Sequence, residues 1–335
     1  MIDWKHINNY VDEAETILLT MHENPDGDGL GSATAMYYYL KEIKKDCRIL
    51  NVSMLPDEYS FLNKGDIIET YDPNTHDAWI STVDLAIIFD VGDYKRIREL
   101  KTKIKEHNIK TLNIDHHPHP KEHPFTCNVV DLNAASTGDM VYDYIKTVRQ
   151  ANISKLMAEG IYTAVMTDTG CFRYSNTNTH CHKIAVECIE VGINTSNIYQ
   201  IIYESSSQSR IALLGNILQN IHYELDGEFA WFIIDQKLMS NVKASKSDVE
   251  GFSDFVRTIK GVEVSMMIVE NKGQSCRLNF RSTGKYIING VAVELGGGGH
   301  KYASGAVINN PLNSVIENAV EKMKKSILEQ RTDLA

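Results

Sequence analysis

No apolar run in this 335-residue chain approaches the length needed to span a bilayer, and nothing in it reads as a signal peptide. The expectation is a soluble cytoplasmic protein with no membrane partner. Cysteine is sparse: six residues, scattered, with no C-x-x-C pair. That pattern argues against a disulfide framework or a structural zinc site and fits reduced thiols. Positive charge is also short. Lys and Arg number 34 against 44 Asp and Glu, for a net charge of −10. Binding to long duplex nucleic acid depends on phosphate neutralisation, so such a partner is not expected. Short nucleotides held locally, or through metal ions, stay compatible with the charge. Internal repeats and long low-complexity tracts are absent as well. What the chain does have is 43% hydrophobic residues, enough to exclude wholesale disorder, over a length that suggests two domains.

The densest chemistry lies in Met21 to Ser32, MHENPDGDGLGS, where His22, Asp26 and Asp28 fall within seven residues. Carboxylates held so close repel unless a cation lies between them. Asn-Pro-Asp-Gly is also ordinary turn chemistry, so the turn needs corroboration elsewhere. A calcium loop is disfavoured, because Tyr37 stands where its bidentate Glu would be. Before the turn, Thr16 to Met21 is an apolar run of strand length. After it, Leu30, Ala33, Tyr37 and Leu40 share a helical face, with Gly29 and Gly31 expected to let the backbone turn into that helix. Two further apolar runs follow the same plan. Leu85 to Phe89 ends in Asp90, with Asp93 and Arg96 beyond, and Thr111 to Ile114 ends in Asp115, His116 and His117. Strands alternating with helices predict an α/β domain with a mainly parallel sheet, which brings these three ends to one edge.

Upstream, Ile7, Val11, Ala14 and Ile17 suggest an opening amphipathic helix, and Cys47 to Val52 a second strand. His119 and His123, in a Pro/His-rich loop, read as exposed loop residues. Two helical patterns follow, carrying Met140 to Val148 and Met157 to Val165, and the second ends at Thr167-Asp168-Thr169-Gly170. Cys171 to Thr177 alternates aromatic and polar side chains, of which an exposed Phe or Tyr can stack a base, although aromatic residues in such segments are more often core.

Residues 1–194 form the expected first domain, 195–220 a helical linker, and 221–335 a smaller α+β domain. In the latter, Phe229 to Ile234, Val262 to Val269 and Ser275 to Ser282 are strand candidates, and Ser247 with Glu250 forms a capping box before a helix at Phe252 to Ile259. Arg277 and Arg281 share one face of the last strand; that face can hold phosphate or simply be solvated. A helix over Ile287 to Leu295 then runs into Gly296 to Gly299 and His300. Four successive glycines suggest close approach to the main chain, with N–H groups forming an anion-binding nest to which His300 adds a donor.

Taken together, His22-x-x-x-Asp26-x-Asp28, Asp90-x-x-Asp93-x-x-Arg96, Asp115-His116-His117, Thr167-Asp168-Thr169-Gly170 and Gly296 to Gly299-His300-x-x-Ala303-x-Gly305 resemble the DHH/DHHA1 phosphoesterase family, closest to its stand-alone oligoribonuclease and pAp-phosphatase branch. The motifs run in the family's order from about residue 16 to residue 308; Asp139 departs from the pattern, standing where Glu is associated with the family. The resemblance implies an N-terminal DHH domain, a C-terminal DHHA1 domain and an active site in the cleft between them. It also implies two manganese ions held by His22, Asp26, Asp28, Asp90, His116 and Asp168, with Asp90 bridging. A donor set rich in carboxylate with some imidazole suits manganese, magnesium or another hard divalent ion. Asp115 is then the carboxylate that orients a histidine, His117 a donor to the scissile phosphate, and Arg277, Arg281, Gly298, Gly299 and His300 the grip on substrate.

The activity so implied is manganese-dependent hydrolysis of short nucleotides by two-metal activation of water: very short RNA, linear dinucleotides such as pApA, or 3′-phosphoadenosine 5′-phosphate. Alternatives are a cyclic-dinucleotide phosphodiesterase, an inorganic pyrophosphatase or exopolyphosphatase, and, as a non-enzyme, a nucleotide-binding sensor. The expected partners are short RNA or dinucleotide substrates, with a homodimer possible.

Overall fold

The computed structural model describes residues 2–120, 122–149, 151–249 and 251–334. The chain divides into two units, one ending at Ser205 and the other beginning at Ser206.

In the first unit the unbroken apolar runs become parallel strands covered on both faces, which is why they show no alternation. The elements are α1 (Trp4–Glu13), β1 (Thr16–Met21), α2 (Gly27–Glu42), β2 (Asp46–Asn51), β3 (Ile68–Thr70), α3 (Pro73–Ile80), β4 (Leu85–Phe89), α4 (Arg98–Glu106), β5 (Lys110–Asp115), β6 (Cys127–Val130), α5 (Thr137–Arg149), α6 (Lys155–Asp168), α7 (Thr179–Glu190) and α8 (Thr195–Tyr203). The six strands are parallel in the order β3-β2-β1-β4-β5-β6. Ile17, Leu19, Ile87 and Leu112 pack with α1, α2, α5 and α6, whereas Leu18, Ala86 and Ile88 pack with Ile80, Leu100 and Ile104 of α3 and α4. Ile17 thus belongs to β1 and not to the opening helix. Met21 lies beside Phe89, and Phe89 beside Ile114, so β1, β4 and β5 finish abreast.

Gly29 and Gly31 do not form the turn into α2; both lie inside the helix. Their use is close approach. A Cβ on Gly31 would collide with the carbonyl of Gly160, and one on Gly160 with the carbonyl of Gly31, so α2 and α6 pack nearly backbone to backbone. Gly138, at the start of α5, likewise has no room for a Cβ beside Ala164. The helices α5 and α7 are joined by His180, whose Nε2 lies 3.1 Å from Asp139 and 2.9 Å from Asp143. Those carboxylates raise the His180 pKa to about 10.

The second unit holds α9 (Gln208–Gln219), β7 (His222–Glu224), β8 (Phe229–Ile234), α10 (Gln236–Val242), α11 (Phe252–Val256), β9 (Val264–Asn271), β10 (Ser275–Ser282), α12 (Asn289–Glu294), β11 (Gly298–His300), β12 (Ala303–Ile308) and α13 (Leu312–Leu334). Its sheet runs β11-β12-β10-β9-β8-β7, antiparallel except for the β8–β9 pair. The alternation in β10 is complete: Cys276, Leu278 and Phe280 are buried with α12 and α13, and Arg277, Asn279 and Arg281 face the other way. The stretch 195–220, read above as a linker, is split between the units, α8 in the first and α9 in the second. Glu250 of the proposed capping box lies outside the described residues. Ser247 begins a short 3-10 turn, and the helix after it ends at Val256. The helix before the glycines is shorter than its periodicity predicts, beginning only at Asn289 because Ile288 donates its N–H to the carbonyl of Lys301.

Two consequences can be measured. Gly31→Ala should lower unit stability by about 1–3 kcal/mol through overpacking, read as a fall in thermal midpoint. His180→Ala should remove a contribution that is full below about pH 6.5 and lost as the pH rises through about 10. Melting temperatures of the two proteins should therefore differ at pH 6 and converge above pH 10.

Candidate metal centre

β1, β4 and β5 deliver His22, Asp90 and Asp115 side by side because they are the residues at or just beyond three adjacent strand ends. Asp90 has a left-handed backbone, φ 53°, an uncommon conformation for a side-chain-bearing residue outside Asn and Asp. α2 adds Asp26, its N-cap, whose Oδ1 accepts from the N–H groups of Asp28 and Gly29, and then Asp28. α6 ends in Asp168.

These side chains form two groups that share one carboxylate. His22 Nε2 lies 3.5 Å from both Asp26 Oδ2 and Asp90 Oδ2. His116 Nε2 lies 3.6 Å from Asp28 Oδ2, 3.7 Å from Asp90 Oδ1 and 3.6 Å from Asp168 Oδ2. Those separations exceed hydrogen-bond length, and the buried His116 Nε2 has no hydrogen-bond partner. Nitrogen and oxygen donors that converge without bonding one another are what a shared cation requires, so the residues present fit two divalent ions with Asp90 between them. All six expected ligands are brought together. His22 Nδ1 lies 2.7 Å from the carbonyl of Glu23. Arg96 Nη2 lies 2.9 Å from the same nitrogen, and Nε2 faces the carboxylates.

The electrostatics agree. Burial, followed by the neighbouring Asp90, Asp168 and Asp26, raises the Asp28 pKa well above the carboxylate range. Burial, with Asp90 and Asp26, raises Asp168 to about 6 despite the opposing effect of His116. For His22, burial favours the neutral form, yet Asp26 and Asp90 outweigh it and raise the pKa to about 9. Asp90 is likewise disfavoured as an anion by burial, but His117 and His22 hold its pKa far below the usual range. Concentrated negative charge with displaced pKa values marks a cation-binding or catalytic centre.

Backbone donors hold the carboxylates in place. Asp28 accepts from Thr137 N–H at 2.7 Å and Gly138 N–H at 2.9 Å, the first turn of α5, where the helix dipole favours negative charge. Asp115 is fully buried and accepts through Oδ2 from Val91 and Gly92 and through Oδ1 from the N–H of His117. His117 Nδ1 also lies 2.9 Å from Asp115 Oδ1, leaving Nε2 on a half-exposed ring. His119 was misread as an exposed loop residue: its side chain is only 5% exposed and lies 2.8 Å from Asp115 Oδ2. Its loop position hid this, because the contact depends on how the chain folds back after β5. His123 is exposed. Beyond Asp168 the chain reverses through three consecutive left-handed residues, Gly170, Cys171 and Phe172. Phe172 stacks on His182, whereas Tyr174 is 60% exposed. Asn176, which sequence reasoning passed over, donates to the carbonyls of Ala135 and Asp168, tying the end of α6 to the start of α5.

The five substrate-binding candidates all lie in the second unit. Arg281 and His300 both pair with Ala303, so they face each other across β12, and the next row contains Asn279, Gly305 and Gly298. Arg281 Nε lies 3.2 Å from Asp254. The glycine run is not a continuous nest. Gly296 and Gly297 donate their N–H groups to Val293 and Ala292, closing α12, and Gly298, Gly299 and His300 continue as β11. Gly297 and Gly299 are required because a Cβ at either would strike β12. Arg277 lines a cavity of about 860 Å³ whose walls include neither Arg281 nor His300.

Among the described residues, no helix is long and apolar enough to cross a membrane. The DHH family, N-terminal domain, matches residues 16–167, and the DHHA1 domain matches residues 235–329. The chain is 30% identical over 299 residues to the bifunctional oligoribonuclease and PAP phosphatase NrnA of Bacillus subtilis, covering 88% of this chain and 90% of that one. It is 24% identical to the NrnA of Mycoplasma genitalium, covering 94% and 96%. An exopolyphosphatase-related protein from Bacteroides fragilis superposes with a TM-score of 0.91 at 28% identity, covering 98% of this chain and 97% of that one. The RecJ exonuclease solved with manganese shares the fold, with a TM-score of 0.55 at 12% identity over 96% of this chain and 93% of RecJ. Paired carboxylate–imidazole groups at three parallel strand ends, both domain matches and these relatives agree: the chain belongs to the DHH/DHHA1 phosphoesterase family, whose members named here are phosphoric ester hydrolases.

Proposed function

We propose that this protein is a manganese-dependent hydrolase of short nucleotides, acting on very short RNA, linear dinucleotides and 3′-phosphoadenosine 5′-phosphate. The observation that carries this reading is the sharing of Asp90 between two ligand groups, its two oxygens directed to His22 and His116 respectively. Manganese or another hard divalent ion bound there supplies a lowered pKa for water and neutralises charge on a phosphate. The bifunctional oligoribonuclease and PAP phosphatase names of the relatives support the substrate class.

The chain's own residues have distinct tasks. His22, Asp26, Asp28, Asp90, His116 and Asp168 hold the ions. Asp115 keeps His117 oriented with Nδ1–H toward a carboxylate, so that Nε2 serves the phosphate being cleaved. Its acceptor bonds from the N–H groups of Val91, Gly92 and His117 fix that carboxylate in a single position. Arg281 and His300 bind a second phosphate or terminal nucleotide, and the glycines of β11 and β12 let the ligand approach the backbone.

Asp90→Ala should abolish hydrolysis at saturating manganese and reduce the bound metal measured by calorimetric titration. Retention of near-normal turnover and two bound ions would remove Asp90 from the centre. His300→Ala should raise KM roughly tenfold or more, as for loss of a hydrogen bond to a charged group, with kcat little changed; loss of kcat at unchanged KM would place His300 in the chemistry instead. Substrate choice is resolved by products from pAp, pApA, a five-nucleotide RNA, cyclic di-AMP, pyrophosphate and polyphosphate. Mononucleotide release from the linear substrates supports the reading, and cleavage confined to pyrophosphate or polyphosphate overturns it.

A further inference from the structure

The second unit holds a cavity of about 860 Å³. Its floor is apolar: Val249 and Val269 are buried, and Met239 is half-buried between them and solvent. Its rim is cationic, carrying Lys243, Lys246 and Lys272 with Arg277 on the wall. The three lysines are exposed and form no salt bridge among the described residues. Glu270 is the one described carboxylate residue lining the cavity, and its Oε2 already accepts from the N–H of Gln236 at 2.9 Å. The second unit is close to neutral by sequence, and this concave face gathers three lysines that form no salt bridge among the described residues.

The loop bearing two of these lysines is fixed. Lys243 closes α10 in a left-handed conformation, φ 55°. Asp248 then accepts from Ser245 N–H at 2.7 Å and Ser245 Oγ at 2.8 Å, and its other oxygen accepts from Ser207 at 2.7 Å. The ammonium groups are therefore attached to a preformed wall, which limits the ordering entropy a ligand must overcome. A volume within the usual 300–1,000 Å³ range for small-molecule sites, an apolar floor for a flat ring and cations at the rim for phosphates together match one ligand chemistry.

We propose that this cavity is a second ligand site that binds a nucleoside phosphate, separate from the Arg281–His300 surface. The base rests on Met239, Val249 and Val269, and the phosphates are held by Lys243, Lys246 and Lys272. Among the described residues the cavity holds no metal-ligand cluster, and the role proposed for it is binding.

The test is calorimetric titration of the full chain carrying Asp90→Ala and Arg281→Ala, which silences turnover and the other surface. ADP should saturate one site, with inorganic phosphate binding at least tenfold more weakly. Adding Lys243→Glu and Lys272→Glu should lower ADP affinity at least tenfold, and Lys243→Gln alone should lower it less. The lysine substitutions in the otherwise native chain should leave kcat/KM on a short nucleotide unchanged, which also shows that the protein folds. Absence of ADP binding in the silenced chain, indifference to the charge reversal, equal affinity for phosphate alone, or loss of hydrolysis in the folded lysine variant would each overturn the proposal.

Discussion

Mutual repulsion among buried carboxylates is the constraint around which the first unit is arranged. Asp26, Asp28, Asp90, Asp115 and Asp168 converge, and Asp28, Asp90 and Asp115 are almost inaccessible to water. Charges in such a place are tolerated only when each is met by a donor, a proton or a cation. The protein supplies fixed donors to some and leaves others facing an imidazole without bonding it. Asp28 takes two N–H groups from α5, and Asp115 takes three backbone N–H groups and two histidines. The remaining valences point at two shared positions.

That arrangement explains parts of the fold remote from any ligand. α5 must begin beside Asp28, so its first turn is pinned to α6 through Gly138 against Ala164 and through Asn176, and to α7 through His180. α2 must bring Asp26 and Asp28 to the end of β1, and it does so while packed against α6 closely enough to exclude a Cβ at Gly31. Small residues here are the means by which the helix ends reach the carboxylate cluster. In the second unit Gly298 and Gly305 leave the row beside Arg281, Ala303 and His300 without side chains on β11 and β12.

The two units divide the chemistry by charge. All of the net negative charge belongs to residues before Ser206, and the remainder of the chain is close to neutral. Under the proposed function, the acidic unit would hold the cations that activate water and the unit with Arg281 and His300 on one strand face would restrain the ligand.

The sequence by itself determined the strands that end in His22, Asp90 and Asp115 and the alternating faces of β10, while the full set of six metal-competent side chains, Asp168 among them, is implied only by the resemblance to the DHH/DHHA1 family. These signals are local: an apolar run, a period of two, and a polar residue at the point where the run stops. Tertiary structure alone decided which donors hold which acceptors. His119 reaches Asp115 only because the loop after β5 folds back, and the glycines of α2 have a purpose only once α6 lies against them. It also decided that Gly296 and Gly297 close a helix while Gly298 and Gly299 extend a strand. A glycine specifies that something must come near, and the partner that comes near is set by chain segments distant in sequence.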